Sequence, residues 1–373
     1  MLRFFALAAV FAMAGDMRPP QRVTIAGQLS PATTLQPLPM RIGGRVERTA
    51  TGFRHQWPGV YAEAAFRGDH VVLRFDDAIN EWRASIDGGP AISLDRPGKA
   101  PVTISGLSPG AHRIRLDKVT ESAAPARFEG MFVDRGQALA APPPRRRQIE
   151  FIGDSSMAGY GARSERSDCT PEQVRATTDT PDAFAAVAAQ HFGAEYQINA
   201  ISGRGLIRNF GGTAPQGTME QLWPRRLPAE PAPFTDPSWQ PQIVMLKLQA
   251  DFVGFRPDRR WPSLDALAGD YAAHYGQFLA RLHRQYPRAV FVLWWFDTNG
   301  APPNQAAMLR TAEAQISATA LAAGARDLLF LPFPAAEFRA TACHGHYGLE
   351  EQRRIADWLI RAVDAHPGFW DGR

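Results

Sequence analysis

The chain has 373 residues, of which 45% are apolar and 21% are charged, a composition that excludes a disordered or fibrous protein. The length is comfortable for two globular domains. The formal net charge is only +4 and the arginines are scattered, so no nucleic-acid-binding motif is indicated and we expect no nucleic-acid partner.

The first segment has the pattern of a secretory signal peptide. A positively charged start precedes an apolar run from Phe4 to Met13, and Ala12-Met13-Ala14 has the small-residue spacing of a cleavage site. The run is too short to span a bilayer, and its many alanines argue against the alternative of a buried first strand. We therefore expect residues 1–14 to be removed, and a secreted or periplasmic protein without a membrane span.

Residues 22–140 have the pattern of a small all-β domain. Short runs with alternating polarity, such as Val71–Phe75 and His112–Leu116, lie between turn signals that recur about every 10 residues. No amphipathic helix stands out in this part of the chain. The pattern predicts a β-sandwich or jelly roll.

Residues 141–147 predict a domain boundary. Three prolines followed by three arginines, Pro142 to Arg147, can continue neither a sheet nor a helix. We interpret the arginines as part of a solvated linker.

From residue 148 to residue 373, short apolar strands alternate with helical patterns. The predicted strands are 148–152, 196–200, 243–248, 289–296 and 327–331, and the predicted helices are 182–192, 304–323 and 349–365. Alternation of this kind implies an α/β domain with a parallel sheet that helices cover on both faces.

The loop after the first of these strands contains a candidate nucleophile. Functional side chains in parallel α/β sheets follow the carboxyl ends of the strands. In Gly153-Asp154-Ser155-Ser156, the hydroxyl of Ser155 lies at a strand-to-helix junction, where the N–H groups of the helix N-terminus favour a developing oxyanion. Asp154 can cap this turn, and an ordinary helix cap is the alternative interpretation of the motif.

Two later loops contain candidate partners for this serine. Ser202-Gly203-Arg204-Gly205 follows the second strand, and Gly203 can bring its N–H close to a substrate oxygen. Cys343-His344-Gly345-His346 precedes the last helix, and a serine nucleophile needs a base such as His. A metal pair is the alternative for the two histidines, but no third ligand has the spacing of a zinc site, so we predict neither metal nor cofactor.

The order of these motifs resembles the SGNH (GDSL-type) hydrolase superfamily and, within it, carbohydrate esterase family 2. The segments Phe151–Gly161 and Ser202–Leu206 are similar to the first two blocks of that family. The resemblance implies a jelly-roll β-sandwich followed by an SGNH hydrolase domain. It further implies a serine esterase that removes O-acetyl groups from a polysaccharide of the xylan or glucomannan type, with oxyanion donors at the N–H groups of Ser155 and Gly203.

The third block of the family departs from its usual pattern in this chain. Where the family has Gly-x-Asn-Asp, this sequence reads Leu248-Gln249-Ala250-Asp251. Ala250 has no side-chain donor in place of the Asn that binds the oxyanion. Gln249 is the alternative donor, and Asp251 is expected to support the site.

The acidic member of the triad is also missing. Many superfamily members have Asp shortly before the catalytic His, and His344 occupies that place if His346 is the base. We prefer His346 because it better fits the spacing to the final helix. The resemblance then implies a dyad of Ser155 and His346, in which a backbone carbonyl orients the imidazole.

Two further predictions concern the surroundings of the site. Cys169 and Cys343 lie in loops that flank the proposed site, and we predict that they form a disulfide in an oxidising compartment. Trp223 and Trp261 lie in Pro-rich loops and are the candidates for a platform on which sugars stack. The expected partner is an acetylated carbohydrate, and the expected oligomeric state is a monomer.

Two alternatives to a carbohydrate esterase stay open from the sequence. The substitution at Ala250 motivates a carbohydrate-binding protein that has lost catalysis. The superfamily resemblance also includes lipases and thioesterases, which differ by their preference for longer acyl chains.

Overall fold

The structure, a computed structural model, describes residues 22–25, 35–299 and 301–371. The predicted signal peptide at residues 1–14 lies outside the described residues. No helix in the described ranges is long and apolar enough to cross a membrane.

The N-terminal part is a β-sandwich of two antiparallel sheets, as its alternating polarity predicts. One sheet has the strand order β1-β10-β7-β12-β5-β4, with β2 paired to β12, and the other has the order β3-β6-β11-β8-β9. The strands are β1 Arg22–Ile25, β2 Leu35–Pro37, β3 Met40–Gly43, β4 Val46–Arg48, β5 Phe53–His55, β6 Tyr61–Arg67, β7 His70–Asp76, β8 Glu81–Ile86, β9 Ile92–Asp95, β10 Val102–Ser105, β11 Ala111–Lys118 and β12 Ala126–Asp134.

The core of the sandwich is built from the inward faces of both sheets. Along β11, Ile114 and Leu116 are buried while Arg113 and Arg115 point outward, which is the period of two that a half-buried strand requires. Trp82 and its aromatic neighbours fill the space between the sheets.

The C-terminal part is a parallel sheet covered by helices on both faces, so the predicted fold class is confirmed. The strand order is β14-β13-β15-β16-β17, and every pair is parallel. The strands are β13 Gln148–Gly153, β14 Glu195–Ala200, β15 Ile243–Leu246, β16 Val290–Phe296 and β17 Leu328–Phe333. The helices are α1 Ser155–Ala158, α2 Pro171–Thr177, α3 Phe184–His191, α4 Met219–Leu222, α5 Leu264–Gln285, α6 Pro303–Ala322 and α7 Leu349–Asp364. Apolar residues of α5 and α6 cover one face, and those of α3 and α7 cover the other.

The helix α5, which has 22 residues, is absent from the predicted elements. Its interior contains Gly269 and Gly276, and glycine lowers helix propensity by about 1 kcal/mol relative to alanine. The reason for one of them is packing, because a Cβ atom at Gly276 would lie 2.5 Å from the Cβ of Thr319 on α6. The two helices therefore approach each other closely, which local propensity does not reveal.

The sandwich and the parallel sheet share a buried interface. The side chains of Arg45 and Glu150 are both 0% exposed and form an ion pair with an N–O distance of 2.9 Å. Trp57 belongs to the apolar cluster under β13 and β15, and its Nε1 donates to Arg226 O. The arginine run is not simply solvated, since Arg145 pairs with carboxylates of both parts.

Candidate active site

The end of β13 presents Ser155 at the carboxyl edge of the sheet. Asp154 is the N-cap of α1, and its Oδ1 accepts the Ser156 N–H at 3.0 Å. The N–H of Ser155 lies in the first helical turn, where the helix itself provides no acceptor. Both the hydroxyl and the N–H of Ser155 are thereby available at this edge.

His346 contacts Ser155 directly. Its Nε2 lies 2.7 Å from Ser155 Oγ, and its Nδ1 lies 2.8 Å from the carbonyl oxygen of Cys343. Because a carbonyl oxygen only accepts, the Nδ1–H must donate to it, and Nε2 is left to accept the serine proton. This geometry supports a Ser–His dyad that is oriented by a backbone carbonyl.

His344 lies apart from the contact between Ser155 and His346, with Tyr160 and Cys169 as its partners. Its φ of 53° lies in the left-handed region, and its ring turns toward Tyr160 and Cys169. The Nε2 lies 2.8 Å from Cys169 O, so in the neutral ring the Nε2–H donates to this carbonyl. The Nδ1 lies 2.8 Å from the Tyr160 hydroxyl and then accepts its proton. The ring of Tyr160 in turn packs 4.4 Å from that of His346, so His344 is connected to the dyad through this tyrosine.

The surroundings of His346 favour its neutral form. Burial lowers its pKa, and Lys247 and His344 act in the same direction. The carbonyl of Cys343 and the carboxylate of Asp154 oppose this effect. A neutral imidazole can accept a proton, so the residue is competent as a base at neutral pH.

Gly203 lies in the loop after β14, the strand that pairs with β13 in the sheet. Its φ is +75°, a region that glycine adopts readily, and its carbonyl accepts the Phe210 N–H at 2.9 Å. Within the described ranges, the Gly203 N–H itself has no acceptor. The side chain of Gln249 has one long contact, from Nε2 to Trp294 O at 3.5 Å.

Asp251 supports the loop that contains Gly203. Its buried carboxylate accepts the backbone N–H groups of Leu206, Ile207 and Arg208 at 2.7 to 2.8 Å. Burial raises the pKa of Asp251 to about 6, although these three N–H groups favour the carboxylate. Asp251 therefore positions a loop, which is a supporting role.

Sequence reasoning missed Lys247, which lies within the strand predicted at 243–248. The strand β15 ends at Leu246, and Lys247 directs its Nζ to both oxygens of Asp154 at 2.8 and 3.0 Å. A charged residue that ends an otherwise apolar strand was the signal available in the sequence. The ion pair holds the cap of the nucleophile turn.

The two tryptophans expected to stack on sugars have no free face, which corrects that expectation. Trp223 is 2% exposed and its Nε1 donates to the buried Glu150 at 2.6 Å. Trp261 is 6% exposed and its Nε1 donates to Asp270 at 2.8 Å. Both indoles donate to carboxylates, and the carboxylate of Glu150 is buried and lies 73 residues from Trp223, a requirement that a Pro-rich sequence context does not reveal.

An exposed apolar ledge lies beside the site instead. Phe210, which is 53% exposed, follows the Gly203 loop, and Val253, which is 47% exposed, follows the third block. The two segments are joined by the bond from Gly211 N to Val253 O at 3.1 Å. We call Phe210 and Val253 the apolar ledge. Exposed apolar side chains that lie together mark a candidate binding surface, and the backbone bond brings these two segments together.

A disulfide joins Cys169 to Cys343 in the structure. It connects the segment before α2 to the loop that contains His346. The described residues contain no group of three or more His, Cys, Asp or Glu side chains placed to hold a metal ion.

Comparisons with known proteins agree with this architecture. Residues 42–143 match the family model of the carbohydrate esterase 2 N-terminal domain. The chain is 34% identical over 355 residues to an acetylxylan esterase / glucomannan deacetylase of Cellvibrio japonicus, covering 93% of this chain and 96% of that protein. A solved carbohydrate esterase, whose active site is described as having divergent catalytic and non-catalytic binding functions, is similar with a TM-score of 0.80 and 34% identity, covering 90% of this chain and 100% of that chain. A carbohydrate esterase family 2 enzyme with a carbohydrate-binding domain, from Corynascus thermopiles (Myceliophthora fergusii), has a TM-score of 0.72 and 28% identity, covering 88% and 99%.

Proposed function

The chain belongs to carbohydrate esterase family 2, and from this we propose that it is a serine esterase that removes O-acetyl groups from a xylan- or glucomannan-type polysaccharide. The observation that carries the proposal is the 2.7 Å contact between Ser155 Oγ and His346 Nε2 at the carboxyl edge of the sheet. Nucleophile and base within hydrogen-bond reach, with the base oriented by a third group, are the signature of acyl transfer.

The first half of the reaction forms an acetyl-enzyme. His346 takes the proton of Ser155 as the hydroxyl oxygen attacks the acetyl carbonyl. The N–H groups of Ser155 and Gly203 bind the negative oxygen of the tetrahedral intermediate. His346 then gives its proton to the departing sugar oxygen, and the acetyl group stays on Ser155.

The second half releases acetate. His346 takes a proton from water, the resulting hydroxide attacks the acetyl-serine, and the proton returns to Ser155 as the bond breaks. The imidazolium that forms in each half donates through Nδ1 to the Cys343 carbonyl, 2.8 Å away. A carbonyl dipole fills the place that a carboxylate occupies in a triad.

The third oxyanion donor is the feature in which this chain departs from its family. Losing one such donor costs about 100- to 1,000-fold in rate. We assign the vacant role at Ala250 to the amide of Gln249, whose Nε2 has only a contact of 3.5 Å to Trp294 O, at the limit of a hydrogen bond. This weak contact is the observation that supports Gln249 as the substitute donor.

The apolar ledge is the candidate surface for the polysaccharide. Among the large apolar side chains that are exposed in the described ranges, Phe210 is the aromatic one. It borders the Gly203 loop. Sugar rings stack their apolar faces on aromatic rings, which supply contact area at low entropic cost. We assign to Phe210 the stacking role that the sequence had suggested for Trp223 and Trp261.

Acetate release from acetylated xylan and hydrolysis of 4-nitrophenyl acetate test the proposal. Ser155→Ala and His346→Ala are each expected to lower kcat by at least about 1,000-fold, because each removes a member of the acyl-transfer unit. A wild type without turnover, whose glycan binding survives Ser155→Ala, would instead identify a binding protein. A series of acyl chain lengths that peaks beyond acetyl would identify a lipase or thioesterase.

We further propose that the protein is exported as a monomer. The signal-peptide pattern at residues 1–14 and the disulfide between Cys169 and Cys343 are both typical of an oxidising compartment. N-terminal sequencing of the exported protein checks this, with a start near Gly15 expected and a retained Met1 as the contradicting result.

A further inference from the structure

A carboxylate of the β-sandwich reaches the loop that offers the second oxyanion donor. Glu121 lies in the segment after β11, three residues beyond Lys118. Its Oε1 accepts the Ser202 N–H at 2.9 Å, and its Oε2 accepts a hydrogen bond from the Ser202 hydroxyl. Ser202 immediately precedes Gly203, so one side chain of the sandwich holds the residue next to the oxyanion donor by two bonds.

These two bonds hold the residue that precedes the Gly203 N–H. The bond to the backbone of Ser202 fixes the peptide before it, and the bond to its hydroxyl fixes its side chain. The N–H of Gly203 belongs to the next peptide, which lies inside the turn closed by the bond from Arg204 N to Ile201 O at 3.1 Å, so Glu121 holds a turn whose shape is already restricted. Hydrogen bonds to an ionised carboxylate are about twice as strong as neutral ones, which suits a contact that must hold a loop against thermal motion.

The segment that carries Glu121 is itself anchored on both sides. Val119 O accepts the N–H of Thr180 from the α/β part at 3.0 Å. On the sandwich side, the buried Nζ of Lys118 donates to the carbonyl oxygens of Gln56 and Trp57 at 3.0 and 3.1 Å. The carboxylate is therefore presented to Ser202 from a rigid support.

Glu121 interacts electrostatically with Tyr160 and Asp154, two residues that lie close to Ser155 and His346. Its carboxylate raises the pKa of Tyr160, whose ring packs on His346, although burial contributes more to that shift. Burial raises the pKa of Glu121 itself, the charge of Asp154 adds to this, and the bonds from Ser202 together with Lys118 oppose it. Glu121 thus lies among the residues that surround the dyad.

We infer that Glu121 is a positioning residue of the oxyanion hole, so that the β-sandwich completes the esterase site of the α/β part. The inference rests on the proposed function, since it concerns the same reaction. It assigns to the sandwich a role that a separate carbohydrate-binding module would not have. A role of this kind predicts that a change in the sandwich alters the rate of the chemical step.

The test compares variants of the full chain on 4-nitrophenyl acetate. Glu121→Ala is expected to lower kcat by about 10- to 100-fold while KM changes less than about 3-fold. A donor that no longer points at the oxyanion weakens binding of the transition state more than binding of the substrate. Glu121→Gln keeps one acceptor for the Ser202 N–H and is expected to recover a large part of kcat.

The control is Arg54→Met, which removes another contact across the interface. Arg54 of the sandwich pairs with Glu230 of the α/β part, and neither residue touches the Gly203 loop. This variant is expected to keep kcat within about 2-fold. If it loses kcat as strongly as Glu121→Ala does, the effect is general weakening of the interface and the inference is overturned.

A boronic acid inhibitor forms a tetrahedral adduct with the serine. Its affinity therefore reports on the oxyanion hole, and a purely structural role of Glu121 would leave that affinity unchanged. Its affinity is expected to fall in parallel with kcat in Glu121→Ala. Ser202→Ala alone is expected to lower kcat less than Glu121→Ala does. Combined with Glu121→Gln it should lower kcat little further, because both substitutions act on the same contact. A wild type that turns over while Glu121→Gln and Glu121→Ala both keep full kcat overturns this inference alone. An inactive wild type overturns the proposed function together with it.

Discussion

At the scale of single residues, the proposed base, His346, contacts Ser155 and a backbone carbonyl instead of a carboxylate. The imidazole of His346 donates through Nδ1 to Cys343 O, and the nearby negative charge of Asp154 is paired with Lys247. Burial of His346 and the charge of Lys247 both disfavour the imidazolium. The neutral base is therefore maintained by its environment, and its basicity is lowered at the same time.

The pH dependence of kcat/KM follows from this environment. The base must be neutral, so activity falls as pH drops through its pKa, and we expect the acid limb below the ordinary histidine value of about 6.5. Lys247→Met removes a positive charge that disfavours the imidazolium, so the pKa rises and the limb moves to higher pH. Lys99→Met, on the exposed sandwich surface, is the control and should leave the limb in place. A limb that Lys247→Met leaves unchanged would contradict the electrostatic argument.

Phe210 is expected to act on polymer binding more than on the chemistry. Phe210→Ala removes an exposed ring beside the Gly203 loop, and we expect KM for acetylated xylan to rise about 10-fold, the equivalent of about 1.4 kcal/mol. KM for 4-nitrophenyl acetate, which has no sugar ring, should change much less. Leu321→Ala is a matched control, because Leu321 is 52% exposed and lies at the C-terminal end of α6, just before β17 begins and so at the amino edge of the sheet. Equal effects of both variants would remove Phe210 from the binding surface.

At the scale of elements, the two loops that carry Gly203 and His346 at the carboxyl edge are held in place by contacts from other segments. Asp251 holds the segment that follows Gly203 through backbone N–H groups, and Glu121 holds Ser202 in front of it. The disulfide between Cys169 and Cys343 holds the loop of the base. Short loops without these braces would lose their relative positions, since none is part of a strand or long helix.

Loss of the disulfide is expected to weaken both stability and catalysis. The double variant Cys169→Ala/Cys343→Ala opens a link across 174 residues, which should cost about 2–5 kcal/mol in free energy of unfolding. We expect kcat to fall about 10-fold, because the carbonyl that orients His346 belongs to Cys343. Urea unfolding and initial rates measure the two effects.

A thiol titration provides the independent check of that link. The unfolded, unreduced protein should show no reactive thiol, and the reduced protein should show two, since the sequence contains two cysteines. Two reactive thiols before reduction would show that the bond is absent in solution.

At the scale of the whole molecule, the two parts are joined by a buried polar centre. Glu150 on β13 accepts hydrogen bonds from Arg45 of the sandwich and from the indoles of Trp223 and Trp239. A buried charge is tolerated only when it is paired and hydrogen-bonded, so each of these partners is needed. The sandwich therefore supplies part of the support under the parallel sheet as well as a residue at its edge.

The shared interface predicts one cooperative unfolding transition. Arg45→Met leaves Glu150 without its ion pair and should lower the free energy of unfolding by about 3–5 kcal/mol, as measured in urea. The double variant Arg45→Met/Glu150→Gln removes the orphaned charge and should recover part of the loss. Two separate calorimetric transitions in the wild type would contradict the coupling of the two parts.

Much of this architecture was accessible from local sequence patterns. Alternating polarity predicted the sandwich, and short apolar strands between helices predicted the parallel sheet, because burial of one face imposes its period on neighbouring residues. Ser155 and His346 were identified from the sequence because both lie in loops that come after predicted strands. The helix α5 escaped prediction because its two glycines lower helix propensity, and one of them, Gly276, serves a close contact with α6 rather than a local conformation.

The sequence by itself thus determined the order of the elements, the class of fold and the loops that carry the dyad. Only the tertiary structure decided which side chains are buried and which meet across the chain. Trp223 satisfies a carboxylate 73 residues away, and Glu121 reaches a serine 81 residues away in the other part of the protein. Contacts at such separations depend on how the two layers pack, and no local period encodes that packing.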